Sequence, residues 1–288
     1  MNRRALASLA AALVALLLAS VAAQGAAVRT SHTARALGAT TESSTNWAGY
    51  AVTGSDASPI SFTSVTGTWS QAAATCSPGD GSSASAVWVG LGGYSLSSQA
   101  LEQIGTDADC NANGPASYYA WYELVPSPPV NLTLKIDPGD VITTSVNING
   151  NNVLLQLKDR TRHTTFTKRI TTSVTDISSA EWIAEAPSSC TDYRCDPLPL
   201  ADFGSVTFSH IATIGNAHPG TLTDPTWTLN PIQLVPDARG GFGFFPGPDR
   251  GYTRYASTAG TSAPAALTTD GRSFSLTWLS DPSASAGG

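Results

Sequence analysis

Two short segments, far apart in the sequence, carry side chains that together could perform acyl-transfer chemistry. Residues 101–105 offer the amide of Gln103, and residues 180–186 predict a strand on which Glu181 and Glu185 share one face. A carboxylate can activate a water molecule as a general base, and an amide N–H can stabilise an oxyanion. The two groups together would make a site that uses no Ser, Cys or His side chain and no metal ion.

The faces of two predicted strands decide whether these groups can meet. Trp182 alternates with the two glutamates and is expected to face the core, which turns both carboxylates either into solvent as ordinary surface charges or into a cleft. On a second strand, residues 117–124, the side chains of Tyr119, Trp121 and Glu123 share one face. Such a face could line a groove for an extended peptide or a sugar chain. Alternatively, one side of this strand is core and the other side is ordinary aromatic surface.

The motifs of the better-known hydrolases are missing. The sequence contains no Gly-x-Ser-x-Gly, no His-Glu-x-x-His and no pair of Asp-Thr-Gly or Asp-Ser-Gly segments. The histidines show no metal-ligand spacing among themselves or with the cysteines (His32, His163, His210 and His218). We therefore expect neither a metal ion nor another cofactor.

The first 23 residues predict a secretory signal peptide. Arg3 and Arg4 precede an apolar run at residues 5–18, and small residues at 21–23 fit a cleavage site. A membrane anchor is the alternative, but no basic flank follows the run, and no other stretch has the roughly 20 apolar residues of a spanning helix. We expect a secreted, extracellular protein with no membrane association after cleavage.

The rest of the chain predicts a single domain. Residues 24–44 are small, polar and without pattern, as in a pro-segment or a linker, and residues 283–288 predict a disordered tail. The domain is then 45–282. In a pro-segment, Arg29 and Arg35 would pair with cleft carboxylates at neutral pH and release them in acid.

The charge of the chain argues against a nucleic-acid partner. There are 15 Lys and Arg residues against 21 Asp and Glu residues, which gives a net charge of −6. Phosphate backbones are bound by patches of basic side chains, and the sequence has none. We expect a monomer that does not bind nucleic acid.

Four cysteines predict two disulfides in an exported protein. They are Cys76, Cys110, Cys190 and Cys195, and three pairings are possible. The spacings favour a short local loop between Cys190 and Cys195 and a longer clip between Cys76 and Cys110.

The fold predicted from residue 46 onward is all-β. Segments rich in Val, Ile, Thr, Trp and Tyr are separated by turn residues at intervals of about 8–12 residues. The predicted strands are 60–69, 86–91, 117–124, 141–148, 152–158, 163–174, 180–186 and 204–211. We expect an antiparallel β-sandwich of two large curved sheets, similar to a concanavalin fold or jelly roll.

Six motifs in the chain resemble those of the glutamic peptidases of the eqolisin family, formerly the A4 peptidases, in a bacterial rather than a fungal type. Each motif alone is weak, but six in the same order with similar gaps are a specific signal. They span residues 46–208 and read Asn46-Trp47-Ala48-Gly49, Ser85-Ala86-Val87-Trp88-Val89-Gly90, Leu101-Glu102-Gln103-Ile104-Gly105-Thr106-Asp107, Tyr119-Ala120-Trp121-Tyr122-Glu123, Ala180-Glu181-Trp182-Ile183-Ala184-Glu185 and Phe203-Gly204-Ser205-Val206.

The resemblance implies a secreted β-sandwich endopeptidase that cleaves proteins and peptides in acid. Its catalytic pair, by motif position, is Gln103 as oxyanion donor and Glu185 as general base and then general acid. The same comparison implies substrate-binding roles for Trp47, Trp88, Asp107, Tyr122, Glu123 and Glu181. Glu123 and Glu181 are also expected to raise the pKa of Glu185 by like charge. It implies, too, that Cys190 begins a short disulfide loop.

Three positions differ from the fungal pattern. Gly92 and Tyr119 stand where fungal members carry Asp, and Ala186-Pro187 replaces an acidic-aromatic pair after Glu185. These differences leave the catalytic pair intact and bear on subsite preference and pH optimum.

A carbohydrate-active or carbohydrate-binding β-sandwich is the alternative function. In it, Glu123 and Glu185 would be a pair of glycosidase carboxylates. Gln103 separates the two hypotheses, because a glycosidase does not require it.

Overall fold

The structure is a computed structural model that describes residues 29–31, 42–76, 81–95, 97–112, 114–191, 194–235 and 260–280. For residues 29–31, 189–191 and 194–197 it describes the backbone only. The predicted signal peptide (1–23), most of the predicted pro-segment (24–44) and the predicted tail (283–288) lie outside these ranges.

The described residues form β-strands and no helix, as the sequence predicts, and none of them therefore forms a membrane-spanning helix. The strands are β1 (Arg29–Ser31), β2 (Glu42–Ser44), β3 (Trp47–Thr53), β4 (Phe62–Ser70), β5 (Ser83–Gly92), β6 (Leu101–Cys110), β7 (Ser117–Val125), β8 (Val130–Lys135), β9 (Val141–Asn149), β10 (Asn152–Asp159), β11 (Thr164–Thr171), β12 (Ser179–Glu185), β13 (Ser188–Thr191), β14 (Arg194–Pro197), β15 (Ser205–Gly215), β16 (His218–Gly220), β17 (Thr228–Leu234), β18 (Gly260–Pro264) and β19 (Phe274–Ser280).

One large sheet runs through most of these strands in the order β11-β10-β9-β4-β15-β19-β18-β17-β3-β12-β5-β6-β7-β8. Its pairs are antiparallel, except that β2 joins β17 in parallel. The first part of the long strand β15, Ser205–Phe208, pairs with β19. From Ser209 onward β15 pairs with β4, and the register shifts between Ser209 and Ala212. The sheet thereby folds over on itself, and β4, β9 and β10 pack against β5, β6 and β12 as the two layers of a sandwich.

The main core fills the space between these layers. It contains Trp69, Val89, Ile104 and Phe208, which are all fully or almost fully buried. Trp182 belongs to it too, and its indole N–H donates to the Thr66 carbonyl at 2.8 Å. The predicted inward orientation of Trp182 is confirmed, so the side chains that alternate with it on β12 face away from the core.

A second apolar cluster covers the opposite face of β3, β12, β5, β6 and β7. It includes Trp47, Trp88, Trp121 and Ile183, none of which is exposed. Strands β3, β5, β6 and β12 are therefore buried on both faces, which explains why they alternate so weakly between apolar and polar residues.

The segment before the domain is attached at two points. Strand β1 pairs with β13, and β2 pairs with β17, which is itself the neighbour of β3. Because β13 begins three residues after Glu185, the two attachments flank the end of β12.

A disulfide joins Cys76 to Cys110 with a Cα–Cα distance of 5.4 Å, as predicted. The backbone places Cys190 opposite Cys195 in the β13–β14 pair. Their side chains lie outside the described part, so the second disulfide stays a prediction.

Candidate active site

The candidate catalytic residues lie on one face of the sheet, which we call the site face: the side of β3, β12, β5, β6 and β7 that carries the second apolar cluster. Residues opposite one another in paired strands share a face. One row across the strands is Trp47, Glu185, Ala86, Asp107 and Tyr119, and a parallel row is Ala51, Glu181, Gly90, Gln103 and Glu123. The sequence-predicted pair, Gln103 and Glu185, therefore lies on one face, in two different rows and on strands that are separated by β5.

Trp88 lies in the row between these two, where glycines make room for its ring. A Cβ on Gly105 would come within 2.6 Å of the Trp88 Cβ, and one on Gly90 within 2.8 Å of the ring. Trp47 packs edge-on against Trp88, with ring centroids 4.9 Å apart. The glycines thus explain how a large indole fits at the centre of a flat face.

The carboxyl of Glu185 is fully buried, and each of its oxygens accepts a hydrogen bond. Asn46 Nδ2 donates to Oε1 at 3.1 Å, and Trp88 Nε1 donates to Oε2 at 2.8 Å. Burial raises the pKa of Glu185 well above its ordinary value, the Trp88 bond lowers it, and the charges of Glu123 and Asp107 raise it further. The carboxyl of Glu185 therefore takes up a proton at a higher pH than an ordinary glutamate does.

The amide of Gln103 is also fully buried, and its Nε2 donates to Oε2 of Glu123 at 2.9 Å. The two residues are direct cross-strand neighbours on β6 and β7. Because a carboxylate accepts and never donates when ionised, this contact turns the nitrogen of the amide, and not its oxygen, toward Glu123.

Asp107 belongs to a second group of carboxyls at the β7 side of the site face. It accepts hydrogen bonds from the Trp121 indole and, at 2.9 Å, from the Tyr119 hydroxyl, which also lies 2.8 Å from Asp109. Burial and the charge of Asp109 raise the pKa of Asp107 well above its ordinary value. One hydroxyl proton cannot serve both carboxylates, so the two contacts together require a protonated carboxyl.

Glu181 is fully buried on the site face, but its charge is not among those that raise the pKa of Glu185. Burial raises its pKa well above the ordinary value, Ser179 lowers it, and the charges of Asp176 and Glu102 raise it further. Of the two glutamates expected to act on Glu185, only Glu123 is among the charges that do so. The charges that act on Glu181 are instead those of Asp176 and Glu102.

Tyr122 lies on the opposite face of β7 from the other predicted site residues, and its substrate-binding role stays a prediction. It pairs with Ile104 of the main core, packs against that core and stacks on Phe166 with ring centroids 5.8 Å apart. The period of two along β7 places it opposite Trp121 and Glu123. Trp47, Trp88, Asp107, Glu123 and Glu181 do lie on the site face.

Three residues that hydrogen-bond to the site were not among the predicted site residues. Asn46 opens the first family motif, and Tyr119 and Trp121 share a predicted face with Glu123, so all three had a sequence signal. Within the described ranges, no group of three or more His, Cys, Asp or Glu side chains is arranged to hold a metal ion. The chemistry this arrangement offers is that of a carboxyl, an amide and a water molecule.

Comparison with known proteins shows which family and which solved structures the chain is similar to. The model of the Peptidase A4 family matches residues 45–233. A solved structure of scytalido-glutamic peptidase with a peptide-based transition-state analogue is similar, at 21% identity and a TM-score of 0.60, over 82% of this chain and 98% of that chain. SCP-B, a member of the Eqolisin family solved with the tripeptide Ala-Ile-His, is similar at 20% identity and a TM-score of 0.57, over the same shares. No curated protein sequence matches the chain.

At these identities, the solved structures show only a shared fold, the eqolisin β-sandwich. Membership of the family is shown by the match to the family model. The match favours a peptidase over the carbohydrate-active alternative. The chain belongs to the Peptidase A4 family and is a peptide hydrolase.

Proposed function

We propose that the chain is a glutamic endopeptidase in which Glu185 activates water and Gln103 stabilises the oxyanion. The observation that carries this proposal is that both side chains are buried on one face of one sheet, two strands apart, in a member of a peptidase family. A carboxyl and an uncharged amide donor thereby lie on the same face, in the rows on either side of Trp88.

Glu185 takes part in both halves of the reaction. The ionised carboxylate removes a proton from a water molecule as its oxygen attacks the carbonyl carbon of the scissile bond. The protonated carboxyl then gives that proton to the leaving amine, and the C–N bond breaks. The raised pKa of Glu185, which burial causes, makes the carboxyl a better base when it is ionised and lets it carry the proton between the two steps.

Gln103 acts on the oxyanion that forms when the water attacks. An amide nitrogen carries two hydrogens, and the one donated to Glu123 fixes the orientation of the other. A preorganised donor of this kind is typically worth about 3–4 kcal/mol of barrier. Glu123 is therefore a positioning residue for Gln103.

The walls of the site suit an extended peptide with apolar side chains. Trp47, Trp88, Trp121 and Ile183 surround the pair and are buried in the present state. Glu185 and Gln103 are also unexposed. A substrate therefore reaches them only after the groups that cover the site face move away.

We also propose that the chain is exported and that residues 24–41 act as a pro-segment. The disulfide between Cys76 and Cys110 supports an oxidising compartment, and the pairing of β1 with β13, which follows Glu185 in the chain, supports an inhibitory segment. N-terminal sequencing of the secreted protein before and after acid incubation tests both parts. A secreted, active protein that keeps residues 24–41 after acid treatment would contradict the pro-segment.

The activity is tested by cleavage of an acid-unfolded protein at about pH 3–5, near the carboxyl pKa range, with an aspartic-protease inhibitor present. We expect wild type to cleave, and Glu185→Gln and Gln103→Ala to lose about 100-fold or more in kcat. Glu102→Gln is the matched control, because Glu102 is a buried carboxyl on the opposite face from Gln103. Equal cleavage by Glu185→Gln and wild type would overturn the proposal.

A further inference from the structure

A serine and an asparagine just before β3 form a buried unit beside Glu185. Ser44 is fully buried, and Asn46 is 3% exposed. The Ser44 hydroxyl oxygen lies 3.3 Å from the backbone nitrogen of Asn46 and 3.0 Å from that of Trp47. It also lies 3.2 Å from Oδ1 of Asn46, whose Nδ2 reaches Glu185.

The hydrogen-bonding capacity of these groups fixes the direction of every bond. Both backbone N–H groups can only donate, so the Ser44 oxygen accepts from them, and its single hydrogen is left for Oδ1 of Asn46. An amide whose oxygen is held in this way presents its nitrogen on the other side. Ser44 therefore makes Asn46 a donor to Glu185; a reversed amide would set two acceptor oxygens against each other.

The backbone adds a second constraint on the same residue. The carbonyl of Asn46 accepts a 2.8 Å hydrogen bond from the N–H of Ala186, the residue after Glu185. Asn46 thus holds Glu185 through its side chain and the following peptide through its backbone. Because Asn46 and Trp88 donate to different oxygens of the carboxylate, the two bonds together fix its plane.

We propose that Asn46 is a positioning residue for Glu185 and that Ser44 sets the orientation of Asn46, so that the active chain must retain Ser44. This inference rests on the proposed function of Glu185. It also limits where a pro-segment can be removed: cleavage must occur before Ser44, although the sequence alone assigned that residue to the pro-segment or linker.

Four substitutions test the unit, with kcat, KM and the pH profile of cleavage as readouts. We expect Ser44→Ala and Asn46→Ala to lower kcat by about 10-fold or more with little change in KM, and Ser44→Thr, which keeps the hydroxyl, to restore most of it. Asn46→Asp places a second carboxylate against Glu185, so the acid limb of the pH profile should move to higher pH. Ser43→Ala is the matched control, because the Ser43 hydroxyl contacts Gln233.

The outcomes separate this inference from the proposed function. Loss of cleavage in Glu185→Gln, together with wild-type kcat and pH profile in Ser44→Ala and Asn46→Ala, would overturn the inference alone. A ¹³C NMR titration of the Glu185 carboxyl needs no turnover: we expect its pKa to rise in Ser44→Ala and to stay unchanged in Ser43→Ala. An unchanged value in Ser44→Ala, or an active enzyme whose N-terminus lies after Ser44, would also contradict the inference.

Discussion

The indole nitrogen of Trp88 lies 2.8 Å from Oε2 of Glu185, so the central aromatic ring of the site face donates to the proposed catalytic carboxyl. This bond favours the ionised form of Glu185, whereas burial and the charges of Glu123 and Asp107 favour the protonated form. The protonation of Glu185 therefore depends on neighbours that substitution can change one at a time.

Replacing Trp88 with Phe should remove the donor and keep most of the ring volume. Without the bond, the pKa of Glu185 rises further, so the acid limb of kcat/KM should move to higher pH. A hydrogen bond to a charged group is typically worth about 1.5–3 kcal/mol, which corresponds to roughly 10- to 100-fold in rate at acid pH. The measurement is kcat/KM as a function of pH.

Trp182→Phe is the control for this substitution. It removes an indole donor with the same bond length on the other face of the sheet, where the acceptor is the Thr66 carbonyl. We expect it to lower the free energy of unfolding and to leave the pH profile in place. If both variants shifted the profile equally, the effect would come from packing and not from the Glu185 bond.

Replacing Glu123 with Gln should move the acid limb in the opposite direction. Glu123 raises the pKa of Glu185 by like charge, so its neutral isostere lets Glu185 ionise at lower pH. The new amide carbonyl can still accept from Gln103, so kcat should fall less than in Gln103→Ala. Glu181→Gln, on the same face but not among the charges acting on Glu185, should not shift the limb; a shift in both variants would contradict this account.

The alternation of strand β12 was the part of the site that the sequence predicted best. Trp182 points into the core and Glu185 away from it, because the strand is paired on both sides and its period of two is uninterrupted. The same rule, applied to β7, places Tyr122 on the core side. Its predicted role came from membership of a motif, and a motif does not say which face a side chain occupies.

Other parts could not be predicted from local pattern. Strand β6, which carries Gln103, was absent from the predicted strands because Gly105, Asp107 and Asp109 are residue types depleted in strands. It forms because both of its faces are covered. The contact of Asn46 with Glu185 joins residues 139 positions apart, and it depends on the pairing of β3 with β12, which no local pattern encodes.

Replacing Tyr119 with Phe should destabilise the protein more at neutral than at acid pH. The hydroxyl lowers the pKa of Asp107 and of Asp109, so its loss raises both values further. A carboxyl with a raised folded-state pKa is stabilising while protonated, and that stability is lost as pH rises through the folded-state pKa. We expect a loss of about 1–3 kcal/mol in the free energy of unfolding, larger at pH 7 than at pH 4.

Denaturant unfolding of Tyr119→Phe at the two pH values measures this difference. Tyr118→Phe is the control, because the Tyr118 hydroxyl accepts from the backbone N–H of Ala74, which carries no charge. Its loss should be the same at both pH values. A pH-independent loss in Tyr119→Phe would show that the hydroxyl does not mediate between the two carboxyls.

Replacing Glu102 with Gln should flatten the dependence of stability on pH. Burial raises the pKa of Glu102 to about 8 from an ordinary value of 4.5, so the folded protein holds a proton that the unfolded chain releases. Wild-type stability should therefore fall between about pH 4.5 and 8, by an amount on the order of a few kcal/mol. An amide in place of this carboxyl does not titrate, so the variant should lose less stability over the same range, as measured by denaturant unfolding at pH 4, 6 and 8.

Asp56→Asn provides the control for Glu102→Gln, since Asp56 is exposed on a turn. It should reproduce the wild-type decline in the free energy of unfolding. In Glu102→Gln, the free energy of unfolding should still decline somewhat as the pH rises. We attribute that remaining decline to the other buried carboxyls with raised pKa values, Glu181, Glu185 and Asp107. The sign follows from burial: an enzyme with several buried carboxyls of raised pKa gains stability as the medium becomes acidic, the condition in which its family resemblance implies that it works. Wild-type stability that rose from pH 4 to pH 8 would contradict this account.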